Sequence, residues 1–273
     1  MFDTDLISKY WEVEWMIPAK VQERLIAGIK KYQPIVVRAQ DRDINESDTV
    51  TIITDIFEAI FGYDKFTEIT SELAIKKTFC DLAIRLDGEV RLLIEVKAAG
   101  IELKEQHLQQ AVNYGSNSGL EWVVLTNGVI WKVYKIIFAK PVDADFVYEF
   151  DFRKISAKKQ GDLDMLYYLT KEALGKSNKN SLEELHTQKM FVNKFVIGQL
   201  LLSEPVANTI RKALKNMASE AKVTNEDILQ IIEDEIIKRE VLDGDKAAEA
   251  RKKVIKATAA TKPKEIVPTE KGK

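Results

Sequence analysis

The sequence predicts an α/β fold: a mixed central sheet flanked by helices, followed by an α-helical C-terminal region. Two observations carry this. Between Phe66 and Phe138, segments with alternating apolar residues surround a single amphipathic helix, and a helix followed by a strand implies a crossover onto a mixed sheet. Beyond about Ile155 the strand signals vanish and helical periodicity takes over. A chain of 273 residues with 45% hydrophobic content can hold one large domain or a domain plus an extension.

Along the chain, Ala19 to Tyr32 reads as an amphipathic helix ended by Pro34, and Ile35, Val36 and Val37 as a short strand. The polar stretch Gln40 to Ser47 reads as a loop. Asp48 to Phe61 is the first core helix, with Val50, Ile53, Phe57 and Ile60 on its apolar stripe and Gly62 as its stop. Strands are expected at Phe66 to Ile75, Asp81 to Leu86 and Leu92 to Lys97, then a helix over Ile101 to Tyr114. Trp122 to Leu125 follows as a buried strand, Thr126-Asn127-Gly128 as a turn and Val129 to Phe138 as a further strand. In the C-terminal region, Asp162 to Leu174 is a helix ended at Gly175, and Lys176 to Asn180 is a linker. A helix capped by Ser181 and Glu184 runs to Leu202, another spans Pro205 to Ala218, and one starting at Thr224 and Asp227 runs to about Leu242. The resulting division is an N-terminal segment over 1–47, a core over 48–155, a helical region over 156–245 and a mobile tail over 246–273.

The chemistry is concentrated on two adjacent strands. Side chains alternate along a strand, so Glu95 and Lys97 share one face while Leu92, Ile94 and Val96 take the other. Asp81 opens the preceding strand, whose Leu82, Ile84 and Leu86 also fall on even numbers, so Asp81, Glu95 and Lys97 collect on the odd face. Two carboxylates held together suit a hard cation such as Mg²⁺, and a nearby lysine can orient or deprotonate a water. The bland alternative is a solvated sheet face with cross-strand charge pairs. Register decides between them. A plain two-residue loop at Asp87-Gly88 pairs Asp81 with Ile94 and separates the carboxylates; a three-residue loop, or a two-residue loop corrected by a β-bulge, pairs Asp81 with Glu95 and gathers Leu82, Ile84, Leu86, Val90, Leu92, Ile94 and Val96 on one buried face.

Asp81, Glu95-Val96-Lys97, the pair Gln110 and Tyr114, and Leu125-Thr126-Asn127-Gly128 together resemble the N-terminal nuclease domain of the motor subunit of type I restriction enzymes, within the PD-(D/E)xK nuclease superfamily. The resemblance covers about residues 48 to 150, and no helicase motor is read in this chain. It implies a restriction-endonuclease-like fold in which Asp81, Glu95 and the Val96 carbonyl ligate Mg²⁺, Lys97 assists the nucleophilic water, and Gln110 and Tyr114 position the nucleic-acid backbone or the lysine. Cys80 stands where the superfamily usually has Pro. Many of these nucleases add a Glu from the first core helix, for which Glu58 is the candidate, although it points away from the core stripe. Gln110 and Tyr114 are expected to face the groove that holds Lys97, away from the stripe of Leu108, Ala111 and Val112.

The expected activity is therefore Mg²⁺-dependent DNA hydrolysis; the rival is a catalytically idle nucleic-acid-binding or assembly module, and RNA remains open as a substrate. The net charge of −2 argues weakly against a non-specific nucleic-acid coat, but Lys76, Lys77, Arg85, Arg91, Lys97 and Lys104 cluster in sequence as a local basic surface. No apolar stretch suits a membrane span, and the acidic amino terminus with Asp3, Asp5, Glu12 and Glu14 does not resemble a signal peptide. A single cysteine and two histidines exclude an internal disulfide and make a structural zinc site improbable, so a cytoplasmic setting is expected. The apolar run Phe191 to Leu202 points to a homodimer through the C-terminal helices.

Overall fold

A computed structural model of the chain describes residues 17–75, 78–175, 182–220 and 222–260. Of the tail predicted over 246–273, residues 246–260 are helical and the rest lies outside the described residues, as do the acidic amino terminus, Lys76, Lys77, the linker over 176–180 and the Ser181 cap. The chain forms two compact units, residues 1–186 and 187–273.

The first unit is built on a six-stranded sheet in sequential order: β1 (Ile69–Ile75), β2 (Thr78–Leu86), β3 (Glu89–Val96), β4 (Trp122–Thr126), β5 (Ile130–Ile137) and β6 (Asp143–Asp151). All neighbours are antiparallel except β3 and β4, which run parallel. Helices α1 (Ala19–Asp41) and α2 (Glu46–Ala59) precede the sheet, α3 (Glu105–Ser118) makes the crossover from β3 to β4, and α4 (Gln160–Tyr167) and α5 (Lys171–Leu174) follow it. The predicted mixed α/β architecture is thus the observed one. Strand β6 had no counterpart in the sequence reading; it is an edge strand whose Asp143, Asp145, Glu149 and Asp151 mask its two-residue apolar period.

Alternation sorts the apolar side chains between two cores. Leu82, Ile84, Leu86, Leu92, Ile94 and Val96 face Leu25, Ile29, Ile53, Phe57 and Leu166 of the helices on one side. Ala83, Leu93, Val123 and Leu125 face Leu108, Ala111, Val112 and Tyr114 of α3 on the other. With both faces covered, β3 and β4 are buried strands, as parallel strands usually are.

The predicted break at Pro34 does not occur: α1 runs through it to Asp41. Val21, Leu25, Ile29, Tyr32, Val36 and Ala39 form one buried stripe, and burial of Val36 and Ala39 outweighs the single backbone hydrogen bond that the proline removes. Helix α2 begins at Glu46, earlier than the sequence suggested, because Asn45 caps it by accepting from the Asp48 N–H at 2.9 Å.

The second unit comprises α7 (Lys194–Leu201), α8 (Glu204–Met217), α9 (Asn225–Ile231) with a π-helical turn over Ile232–Ile236, α10 (Arg239–Leu242) and α11 (Asp245–Ala260). Helix α6 (Leu182–Phe191) leads into it. The helix expected to run unbroken to Leu202 stops at Phe191, because the Asn193 side chain accepts from the N–H groups of Phe195 and Val196 and starts α7. Thr224 and Asp227 form the expected capping box, but the helix it starts does not reach Leu242 unbroken.

Candidate functional site at the carboxyl end of the parallel strands

The β2–β3 hairpin solves its register problem by the second of the predicted routes. Asp87 (φ 52°) and Gly88 (φ 81°) make a two-residue loop between Leu86 and Glu89, the left-handed pair that matches strand twist. Arg85 pairs with Val90 and Ile84 with Leu92, so Arg91 is the extra residue of a β-bulge. Beyond it Leu82 pairs with Ile94, and continuing that register sets Asp81 opposite Glu95. The bulge moves one predicted residue: Val90 packs against the α3-side core and not with the even-numbered leucines.

Asp81 sits where β2 parts from β3, and its Oδ2 accepts from the Val96 N–H at 2.7 Å. Cys80 is buried with its thiol 3.3 Å from the Leu82 and Ile94 carbonyl oxygens, and burial followed by the charges of Glu95 and Asp81 pushes it up to about 12. It is an inert packing residue. Glu95 is 1% exposed, and burial, reinforced by Asp81 and Glu46, pushes its carboxyl up to about 7 against the opposing hydrogen bond from Lys97. Lys97 Nζ donates to Glu95 Oε1 at 2.7 Å and stands 3.5 Å from Glu46 Oε2. Burial disfavours the Lys97 charge, but the hydrogen bond to Glu95 and the attraction of three carboxylates outweigh it and hold the ammonium above the ordinary lysine value.

The loop after β3 is tied down by the Thr-Asn-Gly turn. Lys97 N–H donates to the Thr126 carbonyl at 2.8 Å, and the buried Asn127 donates through Nδ2 to the Ile101 carbonyl at 2.8 Å. Asn127 Oδ1 also accepts from the N–H groups of Val129 and Ile130. The turn thus fixes the mouth of the parallel pair, where open α/β sheets commonly bind ligands.

Two residues of this neighbourhood were not read from the sequence. Glu46, from the first turn of α2, is the acid that the first core helix sends to Lys97; Glu58 is exposed, on the far end of that helix, with its charge felt by Lys65. The Asn45-Glu46 pair carried the signal, as a cap followed by an acid in the first turn. His107 in the first turn of α3 accepts through Nδ1 from the Lys104 N–H at 3.2 Å, and burial and then the charges of Lys97 and Lys104 lower its pKa. Tyr114, expected to face away from the Leu108, Ala111 and Val112 stripe, is 2% exposed and belongs to the same buried cluster, because a large ring is better buried than solvated; burial and then Cys80, the neighbour of Asp81, raise its hydroxyl to about 12. Gln110 is solvent-exposed on α3. The expected basic surface is also dispersed: Arg85 bonds to Thr70 and Gly88, and Arg91 pairs with Glu89 at 2.7 Å, four residues along each strand from Asp81 and Glu95, or about 13 Å.

Among the described residues, no group of three or more His, Cys, Asp or Glu side chains converges as a metal cage. The oxygen donors at hand are the carboxylates of Asp81 and Glu95, a set that suits a hard cation keeping much of its water and suits zinc poorly.

These features define a mixed α/β domain with paired carboxylates and a lysine at the mouth of its parallel strands. Residues 61–147 match the family model described as Type I restriction enzyme R protein N terminus (HSDR_N), so the likeness to that domain holds over the sheet from β1 into β6 and relates this unit to restriction enzymes. No curated protein and no solved structure gives a significant match. No helix among the described residues is long and apolar enough to cross a membrane.

Proposed function

We propose that the first unit is a Mg²⁺-dependent nuclease that hydrolyses phosphodiester bonds in DNA. The observation that carries this reading is the bulged register that sets Asp81 opposite Glu95, with Lys97 bonded to Glu95. Asp81 and Glu95, with the Val96 carbonyl, would hold the cation. Bound Mg²⁺ supplies positive charge against the charge that develops on the phosphoryl group.

The chain's own groups set the rest. Glu95 is costly to ionise in its buried position, so it accepts either a proton, the Lys97 ammonium or a cation. Lys97 is a cation at neutral pH; in that state it donates hydrogen bonds and cannot remove a proton. Its assigned work is to orient the attacking water and offset charge once released from Glu95. Glu46 offers that ammonium a second, more solvated anchor at 3.5 Å. The test is cleavage of a supercoiled plasmid with Mg²⁺ or Mn²⁺ by wild type and Asp81→Ala prepared side by side. Equal rates would move the activity away from this site, and no cleavage by the wild type with any metal would favour an idle binding module on the same fold.

A further inference from the structure

The two units divide the charge unequally. Residues 1–186 hold 24 of the 41 Lys and Arg but 30 of the 43 Asp and Glu, a net charge of −6; residues 187–273 hold the other 17 and 13, a net of +4. The unit with the candidate site is therefore repulsive to a polyanion overall. Its site adds Asp81, Glu95 and Glu46, its Lys97 ammonium is engaged by two of these, and Arg85 and Arg91 are held at the far turn of the hairpin. A duplex carries one charge per ~1.7 Å of its axis, so retention needs cations from elsewhere.

Helix α11 has them in a suitable arrangement. Ala247, Ala250 and Val254 form its buried stripe, and Ala250 and Val254 pack with Val196 of α7. That packing fixes which side faces water. Arg251, Lys252 and Lys256 are exposed there, and no ion pair ties any of the three to an acid among the described residues. No acidic residue occurs between Glu249 and Glu265, so this half of the helix is purely basic in sequence. On the same face Ala248 is small and exposed, and Ile255, 59% exposed, stands one turn beyond Arg251 and Lys252. Basic residues on a helix are ordinarily solvated singly; here three sit within two turns, and the exposed Glu249, one turn before Lys252, forms no ion pair with them.

We propose that the Arg251, Lys252 and Lys256 face of α11 is a duplex-DNA backbone surface, holding substrate for the acidic unit. It rests on the nuclease reading for its purpose but not for its measurement. Phosphate contacts carry little sequence information, so the recognition is of the DNA backbone and is salt-dependent.

The experiment is a fluorescence-anisotropy titration of the full chain with a 20-bp duplex of mixed sequence, in EDTA, from 50 to 200 mM salt. Each phosphate contact contributes about 0.9 to the slope of log affinity against log salt, or roughly eightfold at 0.1 M. The triple variant Arg251→Ala, Lys252→Ala, Lys256→Ala is expected to bind about a hundredfold more weakly with a slope smaller by about 2 to 3. Lys30→Ala with Lys31→Ala and Lys154→Ala, exposed cations of the first unit, is expected to bind like wild type. Circular dichroism and melting of each variant establish that it is folded; if the triple variant does not fold, Lys252→Gln with Lys256→Gln replaces it, with a slope change of about 2. Unchanged affinity and slope in the α11 variant, an equal loss in the first-unit control, or no duplex binding by wild type would each overturn the proposal. A wild type that binds through α11 yet never cleaves would leave this proposal standing and remove the nuclease reading. A wild type that cleaves but binds independently of α11 would do the reverse. Loss of compaction in the α11 variant by small-angle scattering, with DNA binding intact, would mean that the basic helix serves the acidic unit of its own chain, and would also overturn it.

Discussion

Asp81 Oδ2 accepts a 2.7 Å hydrogen bond from the Val96 N–H, so the carboxylate that opens the candidate site also stands in for a rung of the β2–β3 ladder. The strands part after Leu82 and Ile94, and without Asp81 the Val96 N–H has no strand partner on that side. Asp81→Ala is therefore expected to abolish cleavage and also to lower stability by about 2 kcal/mol, the scale of a hydrogen bond to a charged group. Asp81→Asn keeps an acceptor for Val96 and should recover most of that stability with none of the cleavage. Thermal melts and plasmid nicking on the two variants check this; a melting temperature for Asp81→Ala equal to wild type would deny Asp81 its structural half.

Glu95 gives the site a pH signature. Its carboxyl binds its proton more tightly in the folded chain, with a pKa of about 7, than at the ordinary value of 4.5 expected when unfolded. Ionising it therefore costs stability progressively as pH rises from about 4.5 to about 7, up to roughly 3 kcal/mol, and the cost is absent below that window. Glu95→Gln removes this dependence, so its melting temperature should gain on wild type between pH 5 and 8. Added Mg²⁺ favours the ionised carboxylate, so its stabilisation of wild type should grow through pH 7 and vanish in the variant. Parallel melting curves for the two proteins across this range would mean that Glu95 is not held protonated by burial.

What the sequence made legible follows from periods. Alternation in Leu82 to Leu86 and Leu92 to Val96 demanded a register that only an odd loop or a bulge could satisfy, and Arg91 is that bulge. Asp81, Glu95 and Lys97 were readable for the same reason. The burial of Tyr114 was not legible because a tyrosine fits both a groove and a core, and only the tertiary cluster it joins with Leu108, Ala111 and Val112 decides. Glu46 was hidden because the helix was begun at Asp48; the cap at Asn45 is a tertiary commitment as much as a local one. Pro34 misled because propensity is a weak prior against a buried stripe that continues on both sides of it.

Glu46 and Glu58 offer a direct comparison on one helix. Glu46 lies 3.5 Å from Lys97 and is half exposed, whereas Glu58 stands at the other end of α2. Glu46→Gln should reduce cleavage by roughly fivefold, less than Asp81→Ala, because one solvated carboxylate near the site is worth about 1 kcal/mol. Glu58→Gln should cleave like wild type. Rates measured at saturating Mg²⁺ separate the two, and a larger effect from Glu58 would reverse the assignment.

The boundary near His186 decides where the chain can be cut. Leu182 and Leu185 belong to the core of the first unit, and His186 Nε2 sits 2.9 Å from Asp145 Oδ2 on β6. A chain ending at residue 180 loses both leucines and should be destabilised by several kcal/mol, since each buried leucine contributes about 2 or more. A chain ending at residue 190 keeps them and should stay folded. It also lacks Phe191, Val192, Ile197 and Leu200, which are 54%, 46%, 47% and 39% exposed and motivate the expected homodimer through the C-terminal helices. Light scattering on full-length protein should then report two subunits per particle, and the chain ending at residue 190 one. A monomeric full-length protein across micromolar concentrations would remove the dimer, and an insoluble chain ending at residue 190 beside a soluble one ending at residue 180 would show that Leu182 and Leu185 do not complete the core.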